Sequence, residues 1–346
     1  IAFTWTLAAG EFDCKPLGIV STDGRITYSA IDSETTWNVE GWGSFGHPSD
    51  IVYDHQGHLH VATRFHGQPY GIDYWHQVDG RWRLETFGQD VTFGGNNVAL
   101  ELLSDGRPIV VCMTRDRTRL AVWQRTDDGQ WNAERPAELQ GIAPGHFDIA
   151  VSGDGLLKVV SCPQNGGPRC ATRNAAGTWN VVTISKVGVC RNISATLATD
   201  AQLHVTFAAG ESGSSIKNLH HARITADGTW TSRIAATTLA NLHVGRTGIA
   251  VTPTRTAIVW ERGTGSVAVS KDYGSAVGSV QLTLLDSENE PATQTVADSG
   301  GRPSIALTPD GRTAWVGVYS GNQNGDDFYL LNCNLAGKSP DPIQAT

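Results

Sequence analysis

One residue type sets the frame for this chain: a tryptophan that returns at nearly equal intervals. Trp37, Trp82, Trp131, Trp179 and Trp230 stand 45, 49, 48 and 51 residues apart. The last four follow a turn signal: Asp79-Gly80, Asp128-Gly129, Ala176-Gly177 and Asp227-Gly228. A second turn, such as Asp105-Gly106 or Asp154-Gly155, precedes most of them and opens into an apolar, β-rich run. A period of about 40–50 residues holding several short strands is the pattern of a β-propeller, whose units bury their faces only against neighbouring units. Tryptophans at this spacing are expected to pack between units, where large aromatics contribute most.

Alignment on the turns predicts one all-β domain over 1–346, a seven-bladed β-propeller of four-stranded antiparallel blades. The blades fall at 14–44, 45–93, 94–143, 144–187, 188–240, 241–297 and 298–334, the last joined by 1–10. First strands are expected at 16–21, 48–54, 98–103, 147–152, 193–198, 247–252 and 303–308. Asp-Gly pairs predict tight two-residue hairpins, since Gly accepts positive φ. Unit one is short: 13 residues separate Gly24 from Trp37, against 25 between Gly57 and Trp82. The opening segment, with Trp5 in the repeat position, is therefore expected to supply the last blade's fourth strand and cover its edge. Unit six carries SKDYGSAV, which resembles the Asp-box hairpin of sialidase-like propellers without its aromatic.

A net charge of −8 argues against a general nucleic-acid binder. No apolar run reaches about 18 residues, so no membrane span is expected. The start at Ile1, the scarcity of lysine and an even count of six cysteines read as a processed, secreted, monomeric chain with disulfides. Cys162 with Cys170, across a hairpin-like loop, and Cys14 with Cys333, near the two ends, are the expected pairs. Asn192-Ile193-Ser194 is a glycosylation sequon. No spacing argues for a cofactor or metal; a structural calcium or zinc ion stays open, and Asp127-Asp128 and Asp326-Asp327 read as solvated turn carboxylates.

Within an acidic protein, the openings of the first strands are basic. They carry Lys15, His47, Asn96 and Asn97, His146, Arg191 and Asn192, Arg246, and Arg302. No carboxylate stands at those points, although Asp50 and Asp148 follow slightly deeper. Converging cations favour an anionic ligand, and Arg suits bidentate carboxylate or sulfate recognition. The alternative is that these side chains bond loop carbonyls or pair with Asp50 and Asp148. Unit two is the richest, with His47, Arg64, His66, Tyr70 and Tyr74; the next unit adds Arg115, Arg117 and Arg119 in CMTRDRTRL. His58, His60 and His76 read as structural. Imidazoles, a phenol and guanidinium groups can together abstract a proton beside a carboxylate and return one to a leaving oxygen.

The segment HPSDIVYDHQGHLHVATRFH is similar to the opening blade of seven-bladed polysaccharide lyases, the ulvan lyases and related enzymes that cut rhamnosyl-glucuronate linkages. In that group a first-strand histidine is followed about twenty residues later by another; here His47 and His66 stand 19 apart. The resemblance implies β-elimination at a uronic acid, with one histidine in acid or base work and an acidic polysaccharide or oligosaccharide as substrate. It also implies a Tyr and an Arg from a following blade. This chain has no tyrosine between Tyr74 and Tyr273, so Tyr70 or Tyr74 takes that role, or histidines carry all proton transfer. Arg115 or Arg117 would neutralise the carboxylate. A non-catalytic lectin is the second reading, disfavoured by unequal polar positions among the units. A sialidase-type hydrolase is the third, since Arg191, Arg246 and Arg302 mimic an arginine cluster but glutamate is scarce beside them.

Overall fold

The structure, a computed structural model, describes residues 13–20, 25–30, 33–38, 49–65, 71–78, 81–88, 98–211, 216–224, 229–239, 242–264, 278–285, 290–322 and 325–335. Among these, the only helical segment is a single 3-10 turn, Ala137–Leu139. The strands form six antiparallel sheets, five of four strands and one of six. The chain divides into two compact units, Ser44–Leu197 and Ile1–Gly43 with Ala198–Thr346.

The Ser44–Leu197 unit holds three sheets. Sheet A comprises Ser49–Tyr53, Leu59–Phe65, Gly71–Val78 and Arg81–Phe87. Sheet B comprises Val98–Leu102, Pro108–Met113, Leu120–Arg125 and Trp131–Glu134. Sheet C comprises Ile142–Val151, Leu157–Pro163, Arg169–Arg173 and Trp179–Thr183. Val189–Leu197, the first strand of sheet D, also belongs here. The first strands of neighbouring sheets lie side by side. Sheet B is covered on both faces, which is why its second strand, PIVVCM, is an unbroken apolar run and buried throughout. Val98, Leu100, Val110 and Cys112 pack on Ala62, Ile72, Tyr74 and Phe87 of sheet A. The alternate residues Ala99, Ile109, Val111 and Met113 pack on Phe147, Ile149, Leu157 and Val159 of sheet C.

The repeating tryptophan has a specific use in this unit. Trp131 lies between sheets, stacked on Phe87 at 3.8 Å and edge-on to Tyr74 at 5.2 Å. Its indole nitrogen donates to Glu85 of sheet A at 2.8 Å, and Arg125 Nε donates to the same carboxylate at 3.0 Å. One sheet later the set recurs. Trp179 Nε1 donates to Glu134 at 2.6 Å, and Arg173 Nε pairs with Glu134 at 2.9 Å. The arginine stands six residues before its tryptophan, and the glutamate three residues after the preceding one. Burying an indole leaves an N–H that needs an acceptor. Glu supplies it, and Arg offsets the cost of a partly buried charge. After Trp179 the corresponding position is Val182, and Trp230 has its indole nitrogen buried with no partner.

The second unit holds the rest of sheet D, Leu203–Gly210, Asn218–Ile224 and Trp230–Thr237. Sheet E comprises Leu242–Thr252, Arg255–Thr264, Gly278–Leu285 and Ala292–Ala297. Sheet F runs Gly301–Leu307, Thr313–Asn322, Gly325–Asn334, Asp13–Val20, Arg25–Ala30 and Ser33–Asn38. Val259, Val280 and Leu282 of E pack on Ala314, Val316 and Leu331 of F.

Sheet F departs from the expected blade pattern. Residues 13–38 do not form a separate sheet; they add three strands to the last one. The short interval before Trp37 leaves room for three strands, not four. The strand beside Gly325–Asn334 is Asp13–Val20, with Asp13 opposite Asn334 and Cys14 opposite Cys333. The segment 1–10, expected in that place, lies outside the described residues, as does the Asp-box-like stretch 270–277. The hairpins also differ from expectation. Instead of two-residue turns, Ser152 N bonds Leu156 O and Gly155 N bonds Ser152 O, and the same pattern recurs at 103–107, 126–130 and 174–178. Only the glycine takes positive φ, 79° at Gly155 and 82° at Gly106. A type I turn followed by a left-handed residue is the three-residue loop that results. Asp154 fixes it by accepting from Ser152 Oγ at 2.5 Å.

Glu85→Ala or Glu134→Ala should each destabilise by about 1–3 kcal/mol, because an indole N–H and a guanidinium lose their shared acceptor. Guanidinium denaturation midpoints report this; unchanged midpoints in both variants would show the clasp to be incidental.

Candidate functional site

The basic residues at strand openings sit on backbone irregularities. Register shifts interrupt the first strand of sheet C between Ile142 and Phe147, of sheet E between Val244 and Thr247, and of sheet F between Gly301 and Ser304. His146, Arg246 and Arg302 each fall inside one of these bulges. Arg302 and Asn192 have φ of 48° and 53°, a left-handed backbone that L side chains seldom adopt. A bulge inserts one residue and re-aims its side chain, and such strain persists only where surrounding structure imposes it. At sheet E the preceding residue must be glycine. A Cβ on Gly245 would lie 2.9 Å from the Glu261 side chain.

Within the Ser44–Leu197 unit, the Asn192 backbone N–H donates to His146 Nδ1 at 3.0 Å. An accepting Nδ1 puts the proton of a neutral imidazole on Nε2. Arg191 donates to the Cys190 carbonyl at 2.7 Å. Within the other unit, burial and then the Arg302 guanidinium lower Arg246 to about 10, while Glu261 opposes the shift. The two guanidinium groups thus act on one another, with the Glu261 carboxylate as counter-charge.

Deeper along the first strands lie carboxylates. Asp50 accepts from Ile51 N at 2.9 Å and from Leu100 N, on the neighbouring first strand, at 2.8 Å. Asp148 accepts from Ile149 N at 2.9 Å, Ala195 N at 2.8 Å and Ser194 Oγ at 3.0 Å. These carboxylates tie adjacent first strands through backbone amides. Burial, with Asp148 nearby, pushes Asp50 up to about 7; burial pushes Asp148 up to about 6. Glu101, unnoticed in the sequence, is pushed to about 8 by burial and then by Asp50 and Asp148. Its signal was available: it is the one charge in the apolar strand VALEL.

Other predicted residues divide clearly. His47, His66, Tyr70 and Asn97 lie outside the described residues. Lys15 and Arg64 are placed by strand backbone alone, in Asp13–Val20 and Leu59–Phe65. Arg115 and Arg117 are exposed on the loop after Pro108–Met113, where Asp116 accepts from Thr114 Oγ1 at 2.6 Å and Arg117 has φ 56°. Tyr74 is 1% exposed inside the contact between sheets A and B. Its hydroxyl meets His60 Nδ1 at 2.5 Å, and His60 Nε2 faces Asp54 at 3.6 Å. Burial and the Glu85 charge raise the Tyr74 phenol, and burial lowers His60 and His76. Tyr74 thus belongs to a structural network. Cys162 and Cys170 are buried thiols, not a disulfide. Cys170 pairs in register with Val160, and the Cys162 thiol lies against Cys190 instead. Among the described residues no group of three or more His, Cys, Asp or Glu side chains is placed to hold a metal ion, and no helix is long and apolar enough to cross a membrane.

No protein-family model and no curated protein matches the sequence. Solved structures do share its architecture. A family PL25 polysaccharide lyase, an ulvan lyase bound to -[GlcA(1-4)Rha3S]-, aligns with TM-score 0.60 at 11% identity, covering 83% of this chain and 80% of that one. A protein of unknown function from Dyadobacter fermentans aligns with TM-score 0.54 at 12% identity, over 92% and 98%. AofleA from Arthrobotrys oligospora aligns with TM-score 0.53 at 13% identity, over 84% and 87%. With the antiparallel sheets, these likenesses define an all-β fold of propeller blades; at such identity they show fold alone.

The buried carboxylates make a pH prediction. Their folded pKa values lie above the unfolded ones, so the native state binds more protons, and stability falls as pH rises from the ordinary carboxylate range toward about 8. Glu101→Gln should flatten that decline relative to wild type. Denaturant midpoints measured across the range decide it, and parallel curves for the two proteins would refute it.

Proposed function

We propose that this chain is a secreted, monomeric carbohydrate-active propeller that cleaves a uronic-acid-containing polysaccharide by β-elimination. In this reading 1–346 is one domain of seven units, with strands 13–38 as the irregular one. The observation that carries the proposal is the set of bulges and left-handed residues that present His146, Arg191, Arg246 and Arg302. Deeper in the same region Asp50 and Asp148 accept hydrogen bonds from backbone amides and a serine hydroxyl. The fold likeness to a lyase bound to a glucuronate-containing sugar supports the substrate class.

Chemically, a guanidinium beside the uronate carboxylate stabilises the charge that develops when the adjacent carbon loses its proton. Among the bulge residues, Arg246 and Arg302 are the pair best suited to this, with Arg191, Lys15, Arg64, Asn97 and Arg117 as further substrate contacts. Arg115 is a second candidate neutraliser. His47 and His66 are assigned to acid and base work, with Tyr70 as the remaining phenol. His146, protonated at Nε2, is suited to donating a hydrogen bond to substrate. A lectin remains the alternative, with reversible binding and no bond cleavage.

The protein incubated with glucuronate-containing polymers should generate near-ultraviolet absorbance from the unsaturated product. His47→Ala and His66→Ala should each lower kcat by about 100-fold or more, with unfolding midpoints unchanged, and Arg246→Ala should lower kcat as well as raise KM. Reducing ends without unsaturation would indicate a hydrolase; sugar binding without cleavage would indicate a lectin.

A Cys14–Cys333 disulfide also belongs to this reading, supported by their direct opposition across Asp13–Val20 and Gly325–Asn334. Thiol titration of the denatured, unreduced protein should find four reactive thiols among six cysteines. Six would exclude the bond.

A further inference from the structure

A cleft of about 360 Å³ opens between the last strand of sheet D and sheet E, where Leu242 and Arg262 bring it beside the opening of the strand that carries Arg246. Its volume is at the small end of ligand pockets. Its floor is polar and held in place. Trp260 Nε1 donates to Thr283 Oγ1 at 2.9 Å, and Gln281 accepts from Thr295 Oγ1 at 3.1 Å while donating to Ser279 Oγ at 2.9 Å. Arg262 Nε donates to the same Ser279 hydroxyl at 3.2 Å, and Arg262 lines the cleft. The rim is apolar: Ile234 is 50% and Leu239 74% exposed, two of the six large hydrophobics that the described surface exposes. Glu290 and Pro291 close the opposite side.

We propose that this cleft binds a neutral pyranose, beside the cationic strand openings but by a different ligand chemistry. Arg262 and Glu290 face one cavity, and among the described residues no ion pair joins them. An anionic ligand would meet the glutamate and a cationic one the arginine. A neutral molecule rich in hydroxyls satisfies both, because each hydroxyl donates to a carboxylate and accepts from a guanidinium. An apolar edge on that molecule would cover Ile234 and Leu239, which are otherwise in water. A deoxy sugar such as L-rhamnose carries both features on one ring.

Titration calorimetry and ligand-observed NMR with L-rhamnose test this directly. Expected is one site per chain with a dissociation constant on the order of 1 mM. Leu239→Ala and Glu290→Ala, both at exposed positions, should each weaken binding about tenfold with unchanged unfolding midpoints. D-glucuronate and D-glucosamine, as anionic and cationic probes, should not displace the sugar. Absence of rhamnose binding, equal affinity in both variants, or displacement by either probe would overturn the proposal. The readout is binding alone, so it stands or falls apart from any lyase activity.

Discussion

Sheet A is held to sheet B, and sheet B to sheet C, by an indole that brings its own electrostatic obligation. Trp131 and Trp179 fill the space between blades, and a side chain that large excludes water from its own N–H. An uncharged acceptor would satisfy it. The protein uses glutamate instead, and the charge then calls in an arginine from the tryptophan's own sheet. Burial alone would raise Glu85, but the bonds from Arg125 and Trp131 hold it below its usual range. The cluster is directional: each tryptophan and arginine reach back to the preceding blade. Adjacent sheets are thereby placed in one relative register, which packing between smooth apolar faces would leave less specified.

That placement lets the first strands act together. Because neighbouring first strands lie side by side, Asp50 can reach the Leu100 amide and Asp148 the Ala195 amide. The carboxylates thus serve as inter-strand ties where no ladder partner exists. Nearer the strand openings the bulges push His146, Arg246 and Arg302 out of the regular alternation.

Much of this was legible in residues. The tryptophan period located the sheets, and most first strands begin or end within a few residues of expectation. The clasp was legible too at two successive junctions, where a glutamate stands three residues after one tryptophan and an arginine six before the next. Strand parity marked Tyr74 as internal, because it shares the face of Ile72 between Ala62 and Glu85. The bulges were not legible, since one extra residue in a strand leaves no compositional mark beyond glycines such as Gly245. Nor was the fate of 13–38, which turned on available sheet edges more than on local propensity.

Sheet F has a consequence for how the molecule comes to exist. Its strands come from positions more than three hundred residues apart in sequence, with Asp13 beside Asn334. Until Gly325–Asn334 has been synthesised, the segment 13–38 has no partner edge, so this sheet is among the last elements a ribosome-bound chain can complete. Its early strands must wait as unpaired β-forming sequence, which makes cellular yield sensitive to chaperone supply and to the pace of translation.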